Sequence, residues 1–415
     1  MLNRLPFFKN KKEVILFGLI LLSIFSINIF FQYYSYKDFK SEEIYTTKAT
    51  VINIYNKQKY KILKLKTHNF IFFTSYSNNT MLNKLDTIQV TIVTTKITFL
   101  QYIKNFYAPT FNIHTINTKP TTKQNLMWYI QKQHSDINIS SLFNALFLAI
   151  PINKHLQQIA SSYGISHLLA ISGFHIGVLS FILYWILYIF YTPLQKKYFP
   201  YRNKKYDILI IISIILLGYL IFLDLIPSLL RAYIMFIFGI YLLRNNIKLI
   251  SFSTLLIIVS IIIAFFPSLI FSLSLWFSVA GVFYIFLFIK YFSKLNKIIQ
   301  FFFFNFWIFL AINPIVHYYF PIASYYQIFS VPFTISFTIF YPMELFLHII
   351  NYGNLLDTIL IKLFNQHLTI YIFNTSWYIF YSYLLVSFLA VFSKKWFIGL
   401  NIYLMIYFLC FLINS

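Results

Sequence analysis

Two histidines, two serines and three glycines lie between Tyr163 and Gly177, inside an otherwise apolar stretch. An imidazole exchanges protons near neutral pH and offers both a donor and an acceptor. His167 and His175 are therefore suited to contacting an anion or joining helices by hydrogen bonds. Ser172 precedes His175 by three residues, within hydrogen-bonding reach on a helix. That pair raises an intramembrane hydrolase as one reading, with a serine nucleophile and a histidine base. A zinc helix needs histidines four apart and further ligands. His167 and His175 are eight apart with no carboxylate nearby, so neither a metal nor another cofactor is expected. Ser166, Ala170, Gly173 and Gly177 recur at steps of four, three and four, a stripe along which a second helix backbone can come close. The histidines lie off that stripe, turned roughly 80° from one another on a regular helix.

Arg231 follows Pro227 by about one helical turn inside another apolar run. A membrane arginine is costly to bury and marks function by default. Its planar, permanently charged donors suit phosphate, and Asp224 or helix carbonyls are its structural alternatives. Glu344 is a second acid within an apolar run, suited to a proton relay or to an interface.

These groups need apolar elements to hold them, and the chain supplies many. Of 415 residues, 59% are hydrophobic and 10% charged, against about a quarter charged in soluble domains. Apolar runs recur near the length of about 20 residues that spans a bilayer. The 33 basic and 10 acidic residues give a formal charge of +23, which suits both nucleic acid and the cytoplasmic loops of a membrane protein. The single Cys410 excludes an intrachain disulfide.

A basic start (Arg4, Lys9, Lys11, Lys12) precedes the apolar run Val14–Phe31, read as an uncleaved anchor over residues 1–35 with a cytoplasmic N-terminus. Residues 43–118 turn polar, β-branched and alternating, with strands expected near 47–55, 60–66, 70–74 and 87–93 and a turn at Asn78-Asn79. Short strands of this kind predict a small extracytoplasmic β-barrel of the OB type. Lys57, Lys59, Lys61, Lys64 and Lys66 would offer it a face for a phosphate backbone. Residues 119–160 form a linker in which Leu142–Ile150 is apolar but short, as in an interfacial or re-entrant helix. A helix bundle is expected over 161–413. Its spans fall near 165–191, 207–223, 226–243, 250–266, 270–290, 299–318, 323–347, 369–392 and 396–413. Basic loops at Lys196, Lys197, Arg202, Lys204 and Lys205, at Arg244 and Lys248, and at Lys290, Lys294 and Lys297 are assigned to the cytoplasm. Pro332 and Pro342 make 323–347 a candidate broken or re-entrant segment, which returns Lys394 and Lys395 to the cytoplasm. The fold class is thus a polytopic α-helical membrane protein with a small β-barrel after its first transmembrane helix.

The run His167-Leu168-Leu169-Ala170-Ile171-Ser172-Gly173-Phe174-His175 closely resembles the signature of the ComEC competence family, His-Leu-Leu-Ala-Ile-Ser-Gly-Leu-His. Pro227-Ser228-Leu229-Leu230-Arg231-Ala232 resembles the family's Pro-x-x-x-Arg-Ala element. Pro267 to Gly281 resembles its aromatic helix, and Pro314 to Pro332 its proline-bounded segment. Two places depart from the pattern. Phe147 to Pro151 lacks the acid that often precedes the signature, and Gln327 stands where the family frequently has Asn. Many members also carry a metallo-β-lactamase-like nuclease domain. This chain has no His-x-His-x-Asp motif, so the resemblance implies a short form and a separate nuclease.

The resemblance implies an inner-membrane channel that passes single-stranded DNA inward during natural transformation: transport, and no enzyme. Its candidate path is His167, Ser172, His175, Arg231, Asn313 and Gln327. Expected partners are single-stranded DNA, membrane lipids, a periplasmic DNA receptor, a cytoplasmic helicase or strand-binding protein, the separate nuclease and other copies in an oligomer. The rival readings are a carrier or flippase for an anionic lipid or solute, the Ser172–His175 hydrolase, and a subunit that only docks other uptake proteins.

Overall fold

The computed structural model describes residues 10–77, 82–116, 119–245, 251–366 and 368–413. Arg4, Lys9, the Asn78-Asn79 turn and Lys248 lie outside these residues. Two compact units result. Of the described residues, one holds 10–129 together with Ser260–Ser272; the other holds Ile130–Val259 and 273–413.

The first unit begins with α1 (Lys11–Phe39), a continuous helix longer than the apolar run that seeds it. It continues through β1 (Ile44–Asn56), β2 (Lys61–Lys66), β3 (Ile71–Tyr76), β4 (Thr87–Val93), α2 (Phe99–Lys104), β5 (Phe106–Tyr107) and β6 (Thr110–Thr115). The first half of β1 pairs with β4 and its second half with β2, all antiparallel, with a register irregularity between Val51 and Asn53. Alternation buries Ala49 and Val51 on β1, Leu63 and Leu65 on β2, and Ile88, Val90 and Ile92 on β4. Phe39 at the end of α1 closes this core, its ring 4.9 Å from Phe70 and 5.6 Å from Phe106. Thr98 and Gln101 start α2 with a capping box.

The strand order is β5-β3-β2-β1-β4-β6. The two outer strands, β5 and β6, end opposite edges, and no pairing joins them among the described residues, so the sheet is open. This corrects the expected OB-like β-barrel. Alternation fixes which side chains face the core, whereas closure needs two distant edges to meet in register. Here the parallel β3–β5 pairing and the antiparallel β4–β6 pairing finish the two edges separately.

The second unit is helical. Its elements are the end of α3 (Thr122–Gln133), α4 (Ile137–Leu148), α5 (Lys154–Ser162), α6 (Ser166–Leu169), α7 (Gly173–Tyr198), α8 (Lys204–Phe222), α9 (Pro227–Arg244), the first part of α10 (Phe252–Phe265), α11 (Leu273–Phe292) and α12 (Lys297–Tyr319). After β7 (Ile322–Ala323), a 3-10 turn (Tyr325–Phe329) leads into α13 (Ser330–Ile349). The 3-10 turn Gly353–Leu356, α14 (Asp357–Phe364), β8 (Tyr371–Ile372), α15 (Trp377–Leu389) and α16 (Lys394–Ile413) follow. Asp136 caps α4 by accepting from the amides of Asn138 (2.7 Å) and Ile139 (3.1 Å). From Ile139 to Leu148 nearly every α4 side chain is buried, so α4 is enclosed and presents no polar face to solvent.

Eight helices among the described residues are long and apolar enough to cross a membrane: α1, α7, α8, α9, α11, α12, Tyr325–Ile349 and α16. The runs expected at 250–266 and 369–392 form shorter helices, 14 residues in α10 and 13 in α15. At about 1.5 Å per residue, each is well short of a ~30 Å hydrocarbon core. Pro332 falls in the first turn of α13 and Pro342 inside it, and the helix runs on to Ile349 through both. Two apolar clusters hold the bundle. One joins α7, α8 and α9 around Ile208, Ile212, Leu216 and Leu220, a step-of-four stripe. The other joins α11, α12, α15 and α16 around Tyr284, Trp307, Tyr383 and Phe397. Its polar tips are paired: the Trp307 indole N–H donates to Asn401 Oδ1 at 2.8 Å, and the hydroxyls of Tyr284 and Ser387 meet at 3.1 Å.

Candidate functional site

The signature segment is two helices rather than one. α6 ends at Leu169, Ala170 turns extended, and Ser172 caps α7 with its hydroxyl accepting from the Phe174 amide at 3.3 Å. The expected single stripe Ser166–Ala170–Gly173–Gly177 is therefore divided, and the regular-helix angle between His167 and His175 does not apply. The cause is local. Ser172 satisfies an orphan amide at a helix start better than it fits a helix interior. Of the two glycines, Gly173 sits at a close approach: a Cβ there would lie 3.5 Å from Ala232 Cβ on α9. A Cβ on Gly177 would meet nothing within 4 Å among the described residues.

The predicted Ser172–His175 contact is present as a reciprocal cap. The Ser172 amide donates to His175 Nδ1 at 3.1 Å, with Ser172 Oγ 3.3 Å from the same nitrogen. Since an amide can only donate, Nδ1 is the acceptor and the proton of neutral His175 lies on Nε2. Nε2 is fully buried with no hydrogen-bond partner among the described residues. The ring sits edge-on to Tyr341 and Phe337 of α13, at centroid distances of 4.7 and 5.5 Å.

His167 faces α13 as well. Its Nδ1 donates to the Gly164 carbonyl (3.0 Å) and its Nε2 lies 3.3 Å from Thr334 Oγ1. Gly164 holds the tight turn into α6 at φ +68°, and a Cβ there would lie 3.2 Å from Ser330 Cβ and 3.4 Å from Gln327 Cβ. Gln327 Nε2 donates to the carbonyls of Ser161 (3.1 Å) and Ile322 (3.0 Å). His167, His175 and Gln327 are thus gathered along α13 and the turn before it. Thr334, Phe337, Tyr341, Glu344 and His348 recur at steps of three, four, three and four, so one face of α13 carries them all. Sequence reasoning missed that face because the two prolines suggested a broken segment. The 3–4 spacing was the available signal.

Arg231 and Asn313 lie elsewhere in the same unit. Arg231 is 5% exposed and its Nη1 donates to the Ser274 carbonyl at the start of α11, 2.6 Å away. Its Nε is buried without a hydrogen-bond partner among the described residues, as is Asn313 Nδ2 on α12. Asn313 precedes Pro314, which interrupts the α12 hydrogen-bond ladder. Another group was also overlooked. His134, before α4, meets His348 and Asp357. No cluster of three or more His, Cys, Asp or Glu side chains among the described residues is arranged to hold a metal ion.

In the sheet unit, the five candidate lysines do not share one face. Lys57 and Lys59 belong to the β1–β2 turn, and Lys61 has the strand parity of the inward Leu63 and Leu65. Lys64 and Lys66 share the opposite face. Lys64 lies 5.7 Å from the Phe73 ring, and burial holds its ammonium below the ordinary lysine range.

Eight helices among the described residues that are long and apolar enough to cross a bilayer make this a multi-pass membrane protein, and its helical unit buries polar and charged side chains. The chain belongs to the competence-protein family, whose profile matches residues 151–415, more than half its length and the whole of the signature, α13 and Arg231. No curated protein and no solved structure matches the chain.

Proposed function

We propose that this protein conducts single-stranded DNA across the inner membrane into the cytoplasm, with its N-terminus cytoplasmic and its sheet unit outside. Family membership supports a role in DNA uptake. The observation that carries the channel reading is Arg231, a nearly fully buried guanidinium whose Nε has no hydrogen-bond partner among the described residues of an apolar helix bundle. Burying a charge with an idle donor costs several kcal/mol, roughly, unless it has work to do.

A strand carries one negative charge per nucleotide and cannot enter hydrocarbon. It needs a wet path, polar walls and cations that bind weakly enough to release it. Arg231 offers the phosphate its remaining donors while Ser274 holds its other end. His167, Ser172, His175, Asn313 and Gln327 supply uncharged polar contacts that do not trap an anion. The outer-face Lys64 and Lys66 and the turn lysines Lys57 and Lys59 of the sheet unit, with Lys61, meet the incoming backbone through sequence-independent charge contacts. A negative cytoplasm opposes entry of an anion, so a cytoplasmic helicase or strand-binding protein supplies the drive, and a periplasmic receptor delivers the strand.

The test is uptake of fluorescent DNA by cells with this gene deleted, rescued by wild type, Arg231→Ala or His175→Ala. The reading predicts that the deletion strands DNA outside the inner membrane, wild type restores entry, and both variants fail at normal protein levels. Normal entry in the deletion strain would refute it and turn attention to a carrier for a smaller anion.

A further inference from the structure

Four titratable side chains form a continuous cluster where the α3–α4 connection meets the end of α13 and the start of α14. His134 Nε2 and His348 Nε2 are 3.0 Å apart. His134 Nδ1 lies 2.9 and 3.1 Å from the two oxygens of Asp357. His348 Nδ1 lies 2.7 Å from the main-chain carbonyl of Glu344, one turn earlier, and 3.5 Å from Glu344 Oε2. All four groups are enclosed. Glu344 is 0% exposed, His348 4% and Asp357 6%, and the His134 side chain is 0% exposed. Phe143 stacks on His134 at 4.8 Å and lies 4.4 Å from His348, walling the pair from one side.

Counting protons fixes what this geometry requires. His348 Nδ1 faces a carbonyl, which only accepts, so it carries a proton and the Nε2 of the neutral ring is a lone pair. With Asp357 ionised, His134 Nδ1 donates to the carboxylate, and the Nε2 of the neutral ring is a lone pair too. Two lone pairs would then face one another at 3.0 Å, which is repulsive. One additional proton removes the conflict in either of two ways. It sits between the two Nε2 atoms as N–H···N, with Asp357 as counter-charge, or it sits on Asp357, which donates to His134 Nδ1 and leaves Nε2–H to donate to His348. Both arrangements hold one proton more than a carboxylate and two neutral imidazoles. Burial pushes the Asp357 carboxyl up, with His134 opposing and Asp136 adding to the shift, in keeping with a site that retains a proton.

We propose that His134, His348 and Asp357 form a proton-binding site, with the proton as the ligand that locks the α3–α4 corner onto the end of α13, and with buried Glu344 beside it. The proposal is independent of what crosses the membrane. The described residues around the cluster supply no competing cation. α4 has no titratable side chain between Ile137 and Leu148, and Lys132 on α3 and Lys362 on α14 are exposed. Asp136 is engaged by the α4 amides, and Gln133 Oε1 accepts from the Gly353 amide at 3.0 Å. Glu344 Oε1 and Oε2 have no hydrogen-bond partner among the described residues. Asp357, hydrogen-bonded to His134 at 2.9 Å, is the closer counter-charge; Glu344 Oε2 lies 3.5 Å from His348 Nδ1, which is already given to the Glu344 main-chain carbonyl.

The test is nitrogen NMR on the full chain, labelled with 15N-histidine, in lipid nanodiscs, with thermal melting across pH on the same samples. The expected result is scalar coupling between two histidine Nε2 atoms at neutral pH. The shared proton is lost in one step as pH rises, with a fall in Tm over the same interval. His134→Gln, whose amide can donate to His348 Nε2 without an extra proton, should flatten that fall in Tm. Glu344→Gln should leave the coupling in place. Absence of coupling at neutral pH, or loss of protons from the two rings in separate, independent steps, would overturn the proposal. Loss of the coupling in Glu344→Gln would overturn the assignment of Asp357 as counter-charge. The wild-type coupling decides the matter even if a variant fails to fold.

Discussion

The two units bury polarity in opposite ways. In the sheet unit the buried polar residues are uncharged and mostly threonines, and their hydroxyls are paired: Thr67 with the Phe70 carbonyl, Thr74 with Thr110, Thr94 with the Glu42 carbonyl. Its buried Tyr102, whose hydroxyl has no hydrogen-bond partner among the described residues, is pushed up to about 12, by burial first and then by Tyr45 and Asp38, and so remains neutral: the unpaired polar atom here carries no charge. The helical unit instead buries Arg231, His175, His317, His348, Glu344 and Asp357, several with polar atoms left unpartnered among the described residues. A unit selected only to fold has no use for such groups, because replacing them by apolar side chains is often neutral or stabilising. The sheet unit is built for stability, and the helical unit keeps costly groups where function needs them.

That contrast can be broken by exchanging its terms. Arg231→Met keeps the stem and removes the charge. It should leave the protein folded yet cut transformation roughly a hundredfold, the equivalent of ~3 kcal/mol in lost charged contacts, scored by transformant counts against protein level. In the sheet unit the larger cost should be to stability. Leu63→Ala empties a fully buried core position and should lower stability by ~2–5 kcal/mol, read from denaturant melts in nanodiscs. Gly353→Ala would place a Cβ 2.6 Å from Gln133 Oε1 and 2.8 Å from His348 Nε2. It should cost ~1–3 kcal/mol by overpacking, read as a lowered Tm.

Asp357→Asn sharpens the comparison through pH. A carboxyl whose pKa is raised by folding binds its proton more tightly in the folded state. Its stabilisation is complete below the ordinary carboxylate range and is lost as pH rises through the raised value. The side-chain amide of this variant donates where the neutral acid would, so Tm should stop falling over that interval. Smallest of all, Lys64→Ala with Lys66→Ala should weaken DNA binding by only a few-fold, about one unit less salt slope per lost phosphate contact, in a salt titration.

How far the sequence announced this arrangement differs between the units. The start of α9 at Pro227, the cap-and-histidine pair at Ser172 and His175, and the inward alternation of β2 were legible because each depends on residues three or fewer apart. The open sheet edge and the meeting of His134 with His348 were not. They depend on elements up to 214 residues apart in the chain, and periodicity carries no information about which faces meet. The break at Ala170 is local, set by the Ser172 cap, and was masked by the regular spacing of small residues across it. The 3–4 face of α13 lay between these cases. It was visible in the spacing of Thr334, Phe337, Tyr341, Glu344 and His348 and was obscured by two prolines that the helix accommodates.

Whether the polar groups around His175 lie on the route of the strand is tested most directly by photo-crosslinking during uptake. A photoreactive aromatic residue would replace Phe337, whose ring lies 5.5 Å from that of His175, in one strain and the outward-facing Ile214, 64% exposed on α8, in another, and each would be irradiated while labelled DNA enters. The account predicts covalent DNA adducts at position 337 and none at 214. DNA reaching the cytoplasm with no adduct at 337, or equal adducts at both positions, would contradict it.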